Sequence, residues 1–272
     1  MLYKASVIIS VYNNTRFLKV VLDSLALQTE KNFEIIITED ACHQEMKEFI
    51  GQYPFENDYQ HLTQEDVGWQ KNKALNNAIK ASKADWLIFI DGDSVLHPRF
   101  VEMHLRLSDE KCVLAGKRVK LDEGISQLLL TDKANISKMQ SVLRNKLFFG
   151  KGKIKYIEEG IFIAPESVLS FIPRLRCLNH LKGCNMSFSK KAIYAINGFD
   201  EDYRLPAVGE DHDLSWRFEG LGYKHKSVRN FAVQYHLHHP ESWNDQSENM
   251  LMCTQKQSRN EYICKNGLEK SN

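Results

Sequence analysis

Short apolar runs alternate with helical patterns through the first part of the chain. Three runs have the length of strands and no polar alternation: ASVIISV, FEIIITE and DWLIFID, at residues 5–11, 33–39 and 85–91. Continuous apolar runs of this kind are typical of strands covered on both faces. Apolar residues from Phe17 to Leu25 recur every three or four positions, which predicts an amphipathic helix. A further strand is expected near 58–63 and a further helix over 69–82.

This alternation predicts parallel βαβ units and a doubly wound α/β sheet. Polar residues follow each of the three runs: Tyr12-Asn13-Asn14, Glu39-Asp40 and Asp91-Gly92-Asp93. Because such sheets bind ligands outside the carboxyl ends of their strands, we expect a ligand site there. No GxGxxG pattern follows the first strand, which argues against a dinucleotide site of that type.

The second half of the chain gives weaker patterns. The stretch KGCNMSFSKKAIYAINGFD predicts a strand and a short helix that ends at Gly198. GEDHDLSWRFEGLGY predicts a helix with a buried stripe formed by Leu214, Phe218 and Leu221. Two strand-like pieces follow, at 224–229 and 231–238. The helical phase of 120–180 is ambiguous, and the polar tail from about residue 245 is expected to fray.

Composition places the chain among ordinary globular proteins. It has 272 residues, 43% of them hydrophobic and 26% charged, and a net charge of +1. A protein that binds nucleic acid through bulk electrostatics normally has a strong basic excess, so no nucleic-acid partner is expected. No apolar run reaches the length of about 18 residues that indicates a spanning helix, and no signal-peptide pattern is present. Six cysteines without a CxxC pair indicate incidental or buried thiols and a cytoplasmic location.

The DGD sequence at the end of the run 85–91 is the first candidate site. Two aspartates, Asp91 and Asp93, offer hard oxygen ligands that suit Mg²⁺ or Mn²⁺ holding a diphosphate, and the glycine between them allows close approach of a ligand. A turn held by aspartate side chains is the alternative. Lys71 falls on the buried stripe of the 69–82 helix, in its first turn, which suits a phosphate group.

The GEDHD sequence is the second candidate site, because three carboxylates crowd into four residues. Like charges this close repel each other wherever water is scarce. Asp213 is explained by an ordinary role at the helix end. Glu210 and Asp211 project near the buried stripe, so they are expected to face the cleft of the DGD site.

With these motifs assembled, the chain resembles the family 2 glycosyltransferases. ASVIISVYNN, FEIIITED and DWLIFIDGD are similar to the first strands of their GT-A fold. WQKNKALN and the run from KGCNMSF to GEDHD are similar to segments of β-1,4-galactosyltransferases and chondroitin-polymerase-type enzymes. The resemblance covers about 1–110 and 182–240 and leaves 115–180 unmatched.

The resemblance implies a single GT-A domain, with a Rossmann-like, mostly parallel central sheet flanked by helices. Residues 1–110 would form the nucleotide-sugar-binding half. Residues 111–240 would form the acceptor-binding and catalytic half, with 115–180 as a variable insertion on the acceptor side. Residues 241–272 would be a C-terminal tail.

The resemblance also implies roles for individual residues. Ser10, Tyr12 and Asp40 would hold the nucleotide base, with Tyr12 as its stacking surface. Trp69 would lie beside the nucleotide, Lys71 on the diphosphate, and Asp91 on the ribose or the metal. Asp93 would ligate Mn²⁺ or Mg²⁺, with His236 as a further ligand. Strand alternation would place His236 and His238 on one face and point His239 away.

By the same resemblance, Asp211 is the general base and Glu210 contacts the acceptor sugar. Family 2 enzymes invert the anomeric centre in one displacement, in which an acceptor hydroxyl must lose its proton. The expected function is therefore metal-dependent, inverting transfer of a sugar from a UDP-sugar to a saccharide acceptor in glycan or polysaccharide biosynthesis. Galactose or N-acetylgalactosamine is the favoured sugar. The acids Glu158, Glu159 and Glu166 are expected to be ordinary surface residues.

Departures from the family pattern leave alternatives open. Leu205-Pro206-Ala207-Val208 stand where the galactosyltransferase motif has tryptophan and glycine, so the acceptor stays undefined. No QxxRW motif is present, which favours single addition. The alternatives are a non-catalytic glycan-binding module and a sugar-nucleotide nucleotidyltransferase. The basic and apolar segment 144–176 suggests two further hypotheses, peripheral contact with the inner face of a membrane and a lipid-linked acceptor.

Overall fold

The computed structural model describes residues 2–149, 153–206, 208–240 and 245–270. The strands are β1 Ala5–Val11, β2 Phe33–Glu39, β3 Tyr59–Leu62, β4 Trp86–Asp91, β5 Ser94–Leu96, β6 Cys112–Ala115, β7 Val119–Lys120, β8 Met186–Ser189, β9 Lys224–Ser227 and β10 Gln234–His236. The helices are α1 Thr15–Ala26, α2 Gln44–Gln52, α3 Lys71–Ala81, α4 Phe100–Arg106, α5 Glu123–Thr131, α6 Ala134–Phe149, α7 Phe171–Leu175, α8 Lys190–Ala195, α9 Asp213–Gly220 and α10 Ser247–Ser258. A π-helical turn, Val208–His212, leads directly into α9.

A seven-stranded, mostly parallel sheet forms the centre of the molecule, in the order β3-β2-β1-β4-β8-β6-β9. Strands β1 to β4 run parallel, and β8 is antiparallel to both of its neighbours. Ser10 pairs in register with Thr38 of β2 and Asp91 of β4. The carboxyl ends of the three central strands therefore meet at one edge, as the sequence predicted.

Apolar side chains cover both faces of this sheet, which explains why its central strands show no polar alternation. Ile9 and Ile37 pack on one side with Leu22 of α1. Ile8 packs on the other side with Leu75 of α3 and Phe218 of α9. A smaller sheet, β5-β10-β7, packs against α5 and α6 and places His236 beside the end of β4.

Two predictions about the C-terminal part are wrong. Leu221 does not belong to the buried stripe of α9, because the helix ends at Gly220 and leaves this side chain 39% exposed. The tail does not fray from residue 245, because α10 forms over Ser247–Ser258. Cys253 and Lys256 of α10 are buried, so this polar helix has an inner face despite its composition.

Glu159 is not a surface acid. Its side chain is buried, and Arg176 and Arg229 both form ion pairs with its carboxylate. Arg229 Nε also donates a hydrogen bond to Glu159 Oε2 over 3.1 Å. Glu158 and Glu166 are exposed, as predicted. Burial of Glu159 is possible because both arginines approach it from elsewhere in the fold.

The cysteines agree with the expectation of incidental thiols. All six are free, with Cys184, Cys253 and Cys264 buried. Among the described residues, no helix is both long enough and apolar enough to cross a membrane.

Candidate active site

The site begins where the ends of β1 and β4 approach each other. The Gly92 backbone N–H donates a hydrogen bond to Ser10 O over 2.9 Å. A methyl group on Gly92 would lie 2.7 Å from Val11 Cγ1, closer than carbon atoms can pack. Ser10 Oγ in turn lies 3.2 Å from Asp91 Oδ1. A side chain at Gly92 would therefore force Val11 to move, so the close packing of β1 and β4 favours glycine here in addition to any ligand.

A first cavity of about 730 Å³ opens beside these strand ends. Its lining includes Ser10, Tyr12, Asp40, Asp66, Trp69, Lys71, Asp91, Asp93 and His239. Tyr12 is 49% exposed, donates from its hydroxyl to Asp66 over 2.9 Å, and meets His43 edge to face. Asp40 accepts hydrogen bonds from the Gln70 backbone N–H and the Gln64 side chain. Burial raises the pKa of Asp40. A half-exposed aromatic ring, Tyr12, and a carboxyl group fixed by hydrogen bonds, Asp40, thus line the same cavity.

A carboxylate and two imidazoles converge at the edge of the first cavity. His236 Nε2 and His239 Nε2 each lie 3.2 Å from Asp93 Oδ2 and 3.3 Å from each other. Although burial raises it, the pKa of the Asp93 carboxyl is held well below its usual range by the two histidines. Adjacent ligands of an octahedral ion with bonds of about 2.1 Å lie about 3 Å apart, so this cluster fits a divalent ion. Mixed nitrogen and oxygen donors favour Mn²⁺ over Mg²⁺.

The predicted orientation of two histidines in this region is wrong. His239 was expected to point away, but it belongs to the cluster, whereas His238 is exposed. Strand alternation fails here because β10 ends at His236, so the following residues no longer alternate between faces.

Lys71 links the end of β4 to the π-helical turn Val208–His212, which carries Glu210 and Asp211 and is called the acidic turn from here on. Its Nζ lies 2.9 Å from Asp91 Oδ1 and 2.7 Å from Glu210 Oε1. Although burial lowers it, the pKa of the Lys71 ammonium is raised overall because these two carboxylates face it. Burial raises the pKa of Glu210 to about 7, with Lys71 acting against the shift and Asp91 and Asp211 adding to it.

The loop that precedes β8 holds the Asp211 carboxylate through Gly183. The Gly183 backbone N–H donates to Asp211 Oδ2 over 3.1 Å. Ser215 Oγ donates to the Asp211 carbonyl and accepts from the Leu181 N–H, each over 2.8 Å. A methyl group on Gly183 would lie 2.2 Å from Glu210 Oε1. The loop and the acidic turn therefore fix each other.

Two further contacts anchor the acidic turn in the protein. Asn72 Nδ2 donates to the carbonyls of Asp200 and Gly209, over 2.7 and 2.8 Å. Asp213 is completely buried and forms an ion pair with Arg217 Nε at 2.7 Å. Asp213 lies in the first turn of α9, at the helix end where it was expected, but the π-helical turn precedes it and its side chain is in the interior.

A second cavity of about 480 Å³ lies on the other side of Lys71 and Asp91, which line both cavities. Its other lining residues are Lys117, Arg118, Lys120, Tyr156, His180, Lys182, Gly183, Cys184, Glu210 and Asp211. Arg118 Nη1 lies 3.3 Å from Asp91 Oδ2. Asp211 thus faces a space next to, and distinct from, the space that contains Tyr12 and Asp93.

The structure brings the sequence-predicted residues together around two joined cavities. Ser10, Tyr12, Asp40, Trp69, Lys71, Asp91 and Asp93 line the first cavity, Glu210 and Asp211 line the second, and His236 contacts Asp93. Sequence reasoning missed His239, Arg118 and Gly183. The run KRVK after β6 was the available signal for Arg118, since basic residues directly after a buried strand fall at the sheet edge.

The central sheet and this arrangement at its edge define an α/β protein of the GT-A type. The sequence profile of Glycosyl transferase family 2 matches residues 6–168, more than half of the chain. The chain belongs to glycosyl transferase family 2.

Curated relatives include polysaccharide synthases. The chain is 24% identical over 255 residues to a chondroitin synthase of Escherichia coli and covers 35% of its length, with 88% of the chain aligned. It is 24% identical over 249 residues to a hyaluronan synthase of Pasteurella multocida and covers 25% of its length, again with 88% of the chain aligned. The chain therefore spans about a third or less of these relatives.

Solved structures show the same fold. A mannosyltransferase, PcManGT from Pyrobaculum calidifontis in complex with GDP-Man and Mn²⁺, superposes with a TM-score of 0.59 at 14% identity, covering 95% of this chain and 65% of that one. TarS 1-349 of S. aureus in complex with UDP-GlcNAc gives a TM-score of 0.54 at 18% identity, covering 88% and 60%.

Proposed function

We propose that the chain transfers a sugar from a UDP-sugar to a hydroxyl group of a saccharide acceptor, with inversion and with Mn²⁺ or Mg²⁺. The observation that carries this proposal is the meeting of two cavities at Lys71 and Asp91. Asp93 lies on one side of this junction and Asp211 on the other. Such an arrangement separates a leaving nucleotide from an attacking hydroxyl group while keeping both close to one reacting carbon.

The first cavity suits the nucleotide. The open Tyr12 ring offers a stacking surface for the base, and Asp40 offers an acceptor for the ring N–H of uracil. Trp69 lines the same space. Ser10 and Asp91 take the ribose side, and the Lys71 ammonium takes the diphosphate.

Asp93, His236 and His239 would hold the divalent ion. When bound, such an ion stabilises the negative charge on a departing nucleoside diphosphate. The PcManGT structure with Mn²⁺ supports this assignment by analogy of fold alone.

Asp211 acts as the general base in this proposal. It takes the proton of the acceptor hydroxyl as that oxygen forms a bond to the anomeric carbon and the bond from that carbon to the diphosphate breaks. The Gly183 N–H holds the carboxylate in a fixed direction. Glu210, paired with Lys71, positions a second hydroxyl group of the acceptor. A single displacement, in which the hydroxyl group attacks the face of the anomeric carbon opposite the departing diphosphate, gives inversion.

The transferred sugar is proposed to be galactose or N-acetylgalactosamine, in polysaccharide biosynthesis. The similarity to chondroitin synthases supports this, as do the segments that resemble β-1,4-galactosyltransferases. A screen of UDP-sugars against oligosaccharide acceptors, read by product mass and linkage, tests it. Turnover with UDP-glucose alone would contradict this choice of sugar.

Donor turnover tests the transfer itself. UDP release with Mn²⁺ and an acceptor should fall by about 100-fold or more in Asp211→Asn, since general-base catalysis contributes on that order. Glu110→Gln removes an exposed carboxylate outside both cavities and should keep wild-type turnover. Full activity of Asp211→Asn would refute the proposed mechanism. Binding of UDP and saccharide without any turnover would instead favour a non-catalytic glycan-binding module.

Peripheral membrane contact is a separate part of the proposal. In segment 144–176, of which 150–152 lie outside the described residues, Phe149 and Val168 are each 90% exposed. Exposed apolar side chains beside basic ones suit anionic lipid surfaces, where a lipid-linked acceptor would lie. The test is flotation with phosphatidylglycerol vesicles. A smaller fraction of the double variant Phe149→Ser/Val168→Ser than of the control variant Met250→Ser, which changes an exposed apolar residue elsewhere, should float with the vesicles. Absence of wild-type flotation would contradict the contact.

A further inference from the structure

The second cavity has an unusual excess of basic groups for a space that contains a proposed general base. Besides Lys71, five basic residues line it: Lys117, Arg118, Lys120, His180 and Lys182. The acids that line it are Asp91, Glu210 and Asp211. None of these five side chains lines the first cavity, so they surround the acceptor side and not the nucleotide side.

The ion pairs of the cavity leave two of its lysines available. Lys71 lies between Asp91 and Glu210, and Arg118 also pairs with Asp91. In the described part of the chain, neither Lys117 nor Lys182 forms an ion pair. Their charges lie close enough to His180 to lower its pKa, after the larger effect of burial.

The backbone positions of these two lysines are built into the fold. Asn185, which is completely buried, donates from its side chain to the Lys117 carbonyl over 3.0 Å. Its backbone N–H donates to the Lys182 carbonyl over 2.8 Å. Asn185 Oδ1 also lies 3.1 Å from His104 Nε2. One buried asparagine thus fixes the backbone at two lysines that line the same cavity.

We propose that the second cavity takes an acceptor sugar that carries a negative charge, a carboxylate or a phosphate, bound by Lys117 and Lys182. The inference rests on the proposed function, because it assigns the acceptor to this cavity. An anionic group in this cavity would be attracted by both lysine charges, and charge-assisted hydrogen bonds to it are about twice as strong as neutral ones. The lysines therefore favour a charged acceptor over a neutral sugar of the same shape.

Matched glycosides test the inference directly. Binding of p-nitrophenyl β-glucuronide, p-nitrophenyl β-glucoside and its 6-phosphate is measured by ligand-observed NMR on the protein with UDP and Mg²⁺. We expect the glucuronide or the phosphate to bind about tenfold more tightly than the glucoside, the size of one charge-assisted contact. Whichever of the two charged probes binds more tightly identifies the chemistry of the anionic group.

The lysine variants make the test specific. Lys117→Gln and Lys182→Gln should weaken binding of the charged glycoside severalfold and leave that of the glucoside unchanged. Lys80→Gln, an exposed lysine outside both cavities, is the matched control and should change neither. Equal binding of charged and neutral glycosides overturns the inference. Weaker UDP binding in both lysine variants, with unchanged selectivity between glycosides, also overturns it, because the lysines would then serve the donor diphosphate.

The two proposals fail in different ways. If charged and neutral glycosides bind equally while UDP release still depends on Asp211, the acceptor inference is lost and the proposed transfer remains. If UDP release is independent of Asp211, the transfer mechanism itself is lost.

Discussion

Gly183 determines how closely the loop before β8 can approach the acidic turn. Its backbone N–H contacts Asp211 while its missing side chain leaves room for Glu210. The residue is not in a left-handed conformation, so the need for glycine is one of space alone. Two carboxylates with different proposed roles are therefore aligned by one residue that carries no chemistry of its own.

Gly183→Ala should lower kcat/KM by about 100-fold, because displacing a catalytic group by about 1 Å costs on that order. The thermal midpoint should change little, since the clash can be relieved by moving Glu210 within the cavity. Gly51→Ala is the matched control: a Cβ there meets nothing within 4 Å, and alanine favours the α2 helix by about 0.5–1 kcal/mol. Steady-state kinetics with thermal melts of both variants checks this, and a fully active Gly183→Ala would contradict it.

Two adjacent histidines allow a sharp test of the metal site. His239 belongs to the cluster with Asp93 and His236, whereas His238 is exposed and lies outside it. His239→Ala should weaken Mn²⁺ binding at least about tenfold, since even outer-shell changes cost that much at metal sites. His238→Ala should leave it unchanged. Mn²⁺ titration followed by electron paramagnetic resonance measures both, and equal affinities would exclude His239 as a ligand.

At the scale of elements, α9 carries the acidic turn and is fixed by a buried arginine. Arg217 pairs with Asp213 and donates to the carbonyls of Ile196 and Gly198, over 2.8 and 2.7 Å. Tyr203 also donates to Asp213 over 3.1 Å. These contacts connect α9, and with it the acidic turn, to the residues that follow α8.

Arg217→Met should lower the free energy of unfolding by about 3–5 kcal/mol, because it leaves the Asp213 carboxylate buried without its partner. Arg259→Met removes an exposed ion pair with Glu261 and should cost less than about 1 kcal/mol. Urea denaturation of both variants compares the two values. A small change in Arg217→Met would mean that water or a neighbouring group replaces the guanidinium.

The elements that the sequence predicted well are those with local signals. The apolar runs of β1, β2 and β4 and the periodicity of α1 and α3 were sufficient, because burial on two faces leaves a plain pattern. Glu159 could not be predicted as buried, since its partners Arg176 and Arg229 reach it only through tertiary contacts. His239 was misplaced because a strand end, which alternation cannot locate, decides its direction.

At the scale of the molecule, the two cavities are formed mainly by different parts of the chain. The first is built from strand ends with clear motifs, so sequence reasoning assembled most of it. The second draws Lys117 and Arg118 from the region that no motif covered, and Lys182 and Gly183 from the loop before β8. Most residues of the first cavity, and Glu210 and Asp211 of the second, could therefore be predicted from sequence, whereas the basic lining of the second cavity needed the fold.

Because both ligands are proposed to bind at the joined cavities, we expect binding of the metal and of the nucleotide to stabilise the folded protein. A ligand at 100 times its Kd adds about 2.7 kcal/mol to stability. At that concentration, UDP with Mn²⁺ should therefore raise the thermal midpoint by about 5–11 °C, given a shift of roughly 2–4 °C per kcal/mol for domains of this size class.

Asp93→Asn should remove the Mn²⁺-dependent part of this shift and keep a smaller shift with UDP alone, because Tyr12 and Asp40 lie in the same cavity apart from the metal cluster. Glu110→Gln should retain the full shift, since its carboxylate lines neither cavity. Scanning fluorimetry of the three proteins with each ligand alone and with both distinguishes these contributions. An identical Mn²⁺-dependent shift in Asp93→Asn would place the ion elsewhere and would separate nucleotide binding from the Asp93 cluster.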